Sequence, residues 1–220
     1  MLKLVSANIG QKRTLQRQDR VEQTGIFKMP ASTPVKITRL GLDGDVIISK
    51  KHHGGPDQAI YVYGEADYGW WSNQLGREIG PGTFGENLTI SELESAQFNI
   101  GDYLHFGEIT LQVTAPRIPC GTFAARMEDP QWVKKFRQAE RPGLYCRVLQ
   151  EGTLRTGDTV SSEKYTGETI SILEVFRDYY DRNKSAETIR RHLNAPVAIR
   201  VRQSVEKELA VLLAKGTPKG

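Results

Sequence analysis

The chain has 220 residues, 38% of them hydrophobic, enough for one ample domain with a real core or for one domain and a small appendage. No apolar run approaches the roughly 20 residues of a membrane helix, and the opening MLKLVSANIG turns polar at once, without the apolar core of a secretory signal. The net charge of +4 is dispersed: residues 1–160 carry 19 Lys+Arg and 18 Asp+Glu, and residues 161–220 carry 11 and 8. These features exclude a concentrated basic face, so neither a nucleic-acid nor a membrane partner is expected, and a reducing, cytoplasmic location is. In that setting the two cysteines are not read as a structural disulfide.

Up to about residue 160 the chain reads as short strands between turn signals. MLKLVSANI opens with Leu2, Leu4 and Ser6 in alternation, and VKITRLGLDGDVII alternates around Val35, Ile37 and Leu40 before breaking at Gly41–Gly44. AIYVYG is a β-branched and aromatic run, and NLTI follows a Gly- and Pro-rich loop. HFGEITLQVTAP puts Ile109, Leu111 and Val113 on one face, and GLYCRVLQEGTLRTGDTV reads as two strands about a Gly turn. Such spacing predicts a mainly β fold, an antiparallel barrel or sandwich. Two helices interrupt it, GEADYGWWSNQLG and DPQWVKKFRQAE, the second with Asp129 as N-cap and Pro130 in the first position.

The period changes near Lys164. GETISILEVFRDYYDR carries Ile170, Leu173, Phe176 and Tyr180 at helical spacing, SAETIRRHLN starts at a Ser cap, and VRQSVEKELAVLLAKG ends at Gly216. The expected division is a β domain over 1–163 and a three-helix module over 164–216, joined by the polar stretch SSEKYTGE.

Several stretches carry groups capable of chemistry. Cys146 is in phase with Leu144 and Val148 and reads as a core residue. Cys120 lies in PRIPCG, where Pro116 and Pro119 must end a strand and Arg117 stands three residues before the thiol. A cation there favours the thiolate, the form that serves as nucleophile or soft-metal ligand. In KKHHGGPDQAI, His52 and His53 precede Gly54 and Gly55, which admit a ligand close to the backbone, and Asp57 follows. Adjacent residues of an extended segment point oppositely, so His53 rather than His52 is expected to face the Cys120 pocket. PGTFGENLTI places Glu86 and Asn87 before a strand, and TGIFKMP places Lys28 in a short one. A zinc site built from Cys120, Cys146, His52 and His53 lacks the paired spacing such sites use.

Taken in order, TGIFKMP, GLDGD, HGGPDQAIYVY, PGTFGENLTI, IGDYLHFGEITLQVTAPRIPC and GLYCRVLQEGTLRTGD resemble the MOSC family, the molybdenum-cofactor sulfurase C-terminal domain, and its YiiM-like bacterial branch in particular. The helices after residue 163 resemble the three-helix module of that branch. The resemblance implies a MOSC-type β-barrel that binds the molybdenum–pyranopterin cofactor, with Cys120 as the molybdenum ligand. It implies a pocket lined by His53, Asp57, Glu86 and Asn87 beside Gly54 and Gly55, with Lys28 and Arg117 meeting the cofactor's phosphate and charge. It further implies reduction of N-hydroxylated compounds of the hydroxylaminopurine type at Cys120; His53, expected to face that thiol, is read as the second catalytic residue, a hydrogen-bond donor or proton shuttle. No flavin, haem or iron–sulfur motif is visible, so that reaction requires an electron-donor protein. The alternative is a sulfur or cofactor carrier in which Cys120 holds its cargo without turnover.

Overall fold

The computed structural model describes residues 1–17, 20–48 and 53–216. Seven strands close into a barrel: β1 (Leu2–Gly10), β7 (Ile60–Gly64), β8 (Leu88–Ile90), β9 (Tyr103–Phe106), β10 (Ile109–Pro116), β11 (Leu144–Gln150) and β13 (Thr159–Glu163). Their order around the barrel is β13-β9-β10-β11-β7-β8-β1, and β1 pairs back onto β13 through Leu2–Val160 and Lys3–Thr159. All of these pairs are antiparallel except β7–β8. A short β4 (Lys28–Pro30) extends the sheet beyond β1. A hairpin, β2 (Arg13–Arg17) and β3 (Arg20–Thr24), leaves the barrel between β1 and β4. A three-stranded sheet joins β5 (Val35–Thr38), β6 (Gly41–Leu42) and β12 (Gly152–Leu154). Strands and helices contribute about equal numbers of residues.

Strand β7 shows why one run of sequence supports two cores. It is buried on both faces, and its alternation divides the burial. Ile60 and Val62 join the aliphatic core with Leu88, Leu111, Val113 and Leu144. Tyr61 and Tyr63 point the other way, into an aromatic cluster with Tyr68, Trp71, Phe84, Phe123, Trp132, Phe136 and Phe176. Helices α1 (Glu65–Leu75), α2 (Gly121–Arg126) and α3 (Trp132–Ala139) supply most of that second cluster. Part of its polar edge is satisfied in series: Trp71 Nε1 donates to the Tyr63 hydroxyl at 2.9 Å, which donates in turn to the Arg141 carbonyl at 3.0 Å, whereas Trp132 Nε1 is buried without a partner.

The helices beyond residue 163 are α4 (Ile172–Asp178), α5 (Ala186–Asn194) and α6 (Ile199–Gly216). Ser171 and Glu174 form a capping box on α4, and Ser185 caps α5. Backbone hydrogen bonds Ile100 N–Ile170 O, Ile172 N–Phe98 O and Ala198 N–Thr114 O stitch this region to the barrel. Ile170, Ile172, Val175 and Val197 belong to the aliphatic core, and Phe176 to the aromatic one.

Several details differ from the expectations. The stretch 144–163 makes three strands instead of two, because Gly152 starts a separate pairing with β5. Leu40 is 68% exposed in the turn after β5 rather than on the buried face. Helix α3 begins at Trp132, with Gln131 at its N-cap; Asp129 caps the preceding turn by accepting from the Gln131 amide at 2.8 Å. The apolar stripe of α4 is Ile172, Val175 and Phe176, because the helix starts only after Ile170 has docked in extended form. Among the described residues, no helix is long and apolar enough to cross a membrane.

Truncation after Glu163 removes six side chains from the two cores. The shortened chain is expected to keep a β-type far-UV circular dichroism spectrum but to melt lower, by on the order of 10 °C or more. A wholly unfolded product would show that the barrel and the helices fold as one cooperative unit.

Candidate functional site

One cleft of about 730 Å³ opens where β7, β10 and β11 end, and helices α4–α6 form its far wall. Tyr61 of β7 and Tyr145 of β11 are cross-strand partners and lie in the cleft, their rings 5.0 Å apart. Strand β10 runs past them to Pro116 and delivers Arg117, Ile118, Pro119 and Cys120 to the same space. Neither proline can carry the ladder onward, so the strand stops there and Cys120 falls at the N-cap of α2, where it makes no capping hydrogen bond. The thiol is half-buried.

Arg117 fixes this corner. It is 4% exposed, and its guanidinium lies 4.7 Å from the Tyr61 ring and 4.4 Å from the Phe123 ring. Nη1 donates to the Phe84 carbonyl, and Nε is buried without a partner. Burial works against the charge, but Tyr145, Tyr61 and Cys120 work for it, and the net effect holds the pKa above the usual arginine value. No carboxylate pairs with Arg117 among the described residues. A buried cation without a carboxylate is costly, and the Cys120 side chain lies within its electrostatic reach.

A second cation lines the cleft through a different arrangement. Lys28 is buried, and its ammonium pairs with Asp45. Burial lowers the Lys28 pKa, and Asp45 only partly offsets that. Asp45 is the hub of this wall: its carboxylate also accepts from the Gly10 amide at 2.7 Å and from Asn87 Nδ2 at 2.9 Å. Asn87 receives the Tyr61 amide at its Oδ1, so both ends of its side chain are committed to protein. Asp45, the last residue of GLDGD, was not among the candidates. Its role depends on partners 17 and 42 residues away, which no local pattern discloses.

The cleft therefore gathers Cys120, His53, Gly54, Lys28, Asn87 and Arg117. Three other candidates lie elsewhere. Glu86 is fully buried under the wall and accepts from the Gly82 amide, the Thr89 hydroxyl and the Tyr68 hydroxyl at 2.5, 2.8 and 2.8 Å. Gly82 must be glycine: its φ is +81°, and a Cβ would stand 2.4 Å from the Lys28 carbonyl oxygen. Asp57 accepts from the amide of Ile199, the first residue of α6, at 2.8 Å. It also lies 3.1 Å from Arg147 Nε, an ion pair too bent to count as a hydrogen bond. Asp57 thus fastens α6 to the barrel. Gly55, with φ +87°, turns the chain into the 3₁₀ turn of Pro56–Gln58 outside the cleft. His52 lies outside the described residues. Cys146 is fully buried in the core, and burial pushes its thiol far up.

The far wall brings in groups that sequence patterns did not single out. His192 Nε2 meets Asp178 at 2.8 Å, Lys184 pairs with Glu208 at 2.9 Å, and Arg200 donates to Gln58 at 2.6 Å. Arg17 and Arg20 of the β2–β3 hairpin line the mouth.

Residues 49–161 match the family model described as the MOSC domain. The chain belongs to the MOSC domain family. The Bacillus subtilis protein YflK is 34% identical over 191 residues, which cover 87% of this chain and 86% of that protein. A Gibberella moniliformis protein named "Reductase" is 31% identical over 166 residues, covering 74% of this chain but only 29% of that longer protein. The crystal structure of YiiM from Geobacillus stearothermophilus superposes with a TM-score of 0.78 at 27% identity, over 95% of this chain and all of that one. The MOSC barrel is of the YiiM-like branch, and its helical region is part of that likeness.

Asp45→Ala is expected to cost about 3–5 kcal/mol in urea unfolding, because it strands a buried ammonium; adding Lys28→Met should recover part of the loss. A second expectation concerns pH. Burial raises the Glu86 carboxyl above its ordinary 4.5, against the pull of its hydrogen bonds. Stability from the protonated form is complete below that ordinary value and is lost as pH rises through the folded one. Glu86→Gln should flatten the stability–pH profile over that window, which urea midpoints measured at a series of pH values will show.

Proposed function

We propose that this MOSC protein binds the molybdenum–pyranopterin cofactor with Cys120 as the metal's thiolate ligand, and that it reduces N-hydroxylated compounds. The observation that carries the reading is the pairing of a cleft-facing thiol with a buried guanidinium that has no carboxylate of its own. The residues fit such a group. Among the described residues no three His, Cys, Asp or Glu side chains converge on one point, so a metal at Cys120 must bring most of its donor atoms with it, as a pterin-bound metal does. Arg117 supplies the positive charge that an anionic cofactor needs, and Lys28, held by Asp45, lines the same cleft. The family is associated with binding this cofactor, and one relative is named a reductase.

When bound, the molybdenum centre supplies two-electron redox chemistry. Conversion of R–NHOH to R–NH2 breaks the N–O bond, consumes two electrons and two protons, and releases water. The electrons come from a donor protein. In this reading His53, half-buried on the cleft wall, gives a proton to the departing oxygen. Arg117 sets a buried positive charge beside Cys120, and Tyr61 and Tyr145 exclude water from the floor of the site.

Protein produced in a cofactor-competent host should carry molybdenum by elemental analysis, and Cys120→Ser should lose it while Cys146→Ser keeps it. With an electron-donor protein supplied, His53→Ala should lower kcat for a hydroxylaminopurine by a factor on the order of 10²–10⁴. Equal molybdenum in wild type and Cys120→Ser overturns the ligand assignment. Bound molybdenum without turnover supports the carrier alternative instead.

A further inference from the structure

The β2–β3 hairpin carries few apolar residues, yet it is held in place over the corner of the cleft that contains Cys120. Thr122 Oγ1 donates to Glu22 Oε1 at 2.5 Å, which anchors the hairpin to the start of α2. The same carboxylate is shared by two guanidinium groups, Arg17 at 3.5 Å and Arg20 at 3.4 Å. One anion therefore serves two cations, and the hairpin brings a net positive charge to the mouth of the cleft.

Arg17 comes much closer to the thiol's neighbourhood than an ion pair with Glu22 requires. A Cβ built on Gly121 would stand 2.2 Å from Arg17 Nη2, 2.5 Å from Cζ and 2.7 Å from Nε. The guanidinium thus occupies the space a side chain at residue 121 would take, directly after Cys120 in the chain. Gly121 has no positive φ to explain it and is the first residue of a helix, where glycine is otherwise unfavourable. A methyl group there would displace the guanidinium, which as the end of a flexible, partly exposed side chain is free to shift.

On the other side of Cys120 in sequence, Arg117 is buried with its Nε unpartnered. We propose that Arg17 and Arg117 form an oxyanion subsite at Cys120, that Arg17 draws anionic groups to the thiol, and that glycine at residue 121 leaves room for its guanidinium beside the thiol. The inference rests on the reading of Cys120 as the reactive thiol, but it does not depend on the cofactor. Arg117 is the fixed, buried member. Arg17 is the accessible one, 31% exposed, and is a positioning residue that acts on whatever carries the negative charge.

The test uses the full chain made in a host that cannot synthesise the pterin, so that its outcome is separate from that of the molybdenum assignment. Alkylation rates at Cys120 are measured by peptide mapping with iodoacetate, an anion, and iodoacetamide, its neutral counterpart. Relative to free cysteine, the wild type is expected to favour iodoacetate. Arg17→Gln and Gly121→Ala should each lower that preference by about two- to tenfold, the range for one unit charge at contact distance in a half-solvated site. Arg17→Lys should retain most of it, and high salt should abolish it in the wild type. Arg17 is a surface residue, so Arg17→Gln remains informative if Gly121→Ala fails to fold. An unchanged ratio in Arg17→Gln overturns the proposal. A wild-type Cys120 that reacts with neither reagent would count against the reactive-thiol reading, and inorganic phosphate then decides the subsite. A rise in Tm with added phosphate that Arg17→Gln loses supports it, and no rise in the wild type refutes it.

Discussion

The guanidinium of Arg117 is the constraint around which the functional half of this molecule is arranged. A buried cation without a carboxylate is costly, and the surroundings are shaped to bear it: the Tyr61 and Phe123 rings present their faces and the Phe84 carbonyl accepts one hydrogen bond. Those contacts come from β7, α2 and the loop before β8. Fixing Arg117 therefore fixes the end of β10, the start of α2 and the position of Cys120 between them. The aromatic cluster beneath is the support, with Phe84 packed edge-on against Phe123, Trp132 and Tyr63.

A second feature follows from the first. Because the thiol corner is rigid and cationic, the walls around it differ in how firmly they are held. The Lys28–Asp45–Asn87 wall is internally satisfied and tied to the Gly10 amide. The opposite wall is made of helices joined to the barrel by backbone hydrogen bonds, by the Asp57–Ile199 cap and by a few apolar side chains.

The parts of this arrangement that could be read in the sequence are those set by local pattern. Ile109, Leu111 and Val113 alternate because β10 has one face in the core, and the Ser171 and Ser185 caps are signals within one helical turn. The prolines of PRIPCG disclosed the strand end and the placement of Cys120 outside the ladder. What stayed hidden was set by distant partners. Glu86 and Asp57 look like site residues because both lie in Gly-rich polar loops. Their fates were decided by Tyr68 and Gly82 in one case and by Ile199, 142 residues away, in the other. The β2–β3 hairpin escaped notice because only Leu15 and Thr24 are buried in it, too few to show a period. Helix α2, at six residues, is too short for one. For Asp45 the sequence displayed the GLDGD stretch but not the distant partners Gly10, Lys28 and Asn87.

The seam of the barrel carries its own consequence. The two residue pairs between β1 and β13 join positions about 157 apart in the chain, and they are what turns a curved sheet into a closed barrel. Closure of so large a loop must precede any reward from the contacts it permits, so contact order here is high and folding is expected to be slow. During synthesis, β1 is made first and must wait for residues 159 and 160 before its outer edge is covered on that side. In that interval Leu2 and Leu4 stand on an open strand edge, which is the condition under which a nascent chain most needs a chaperone's protection.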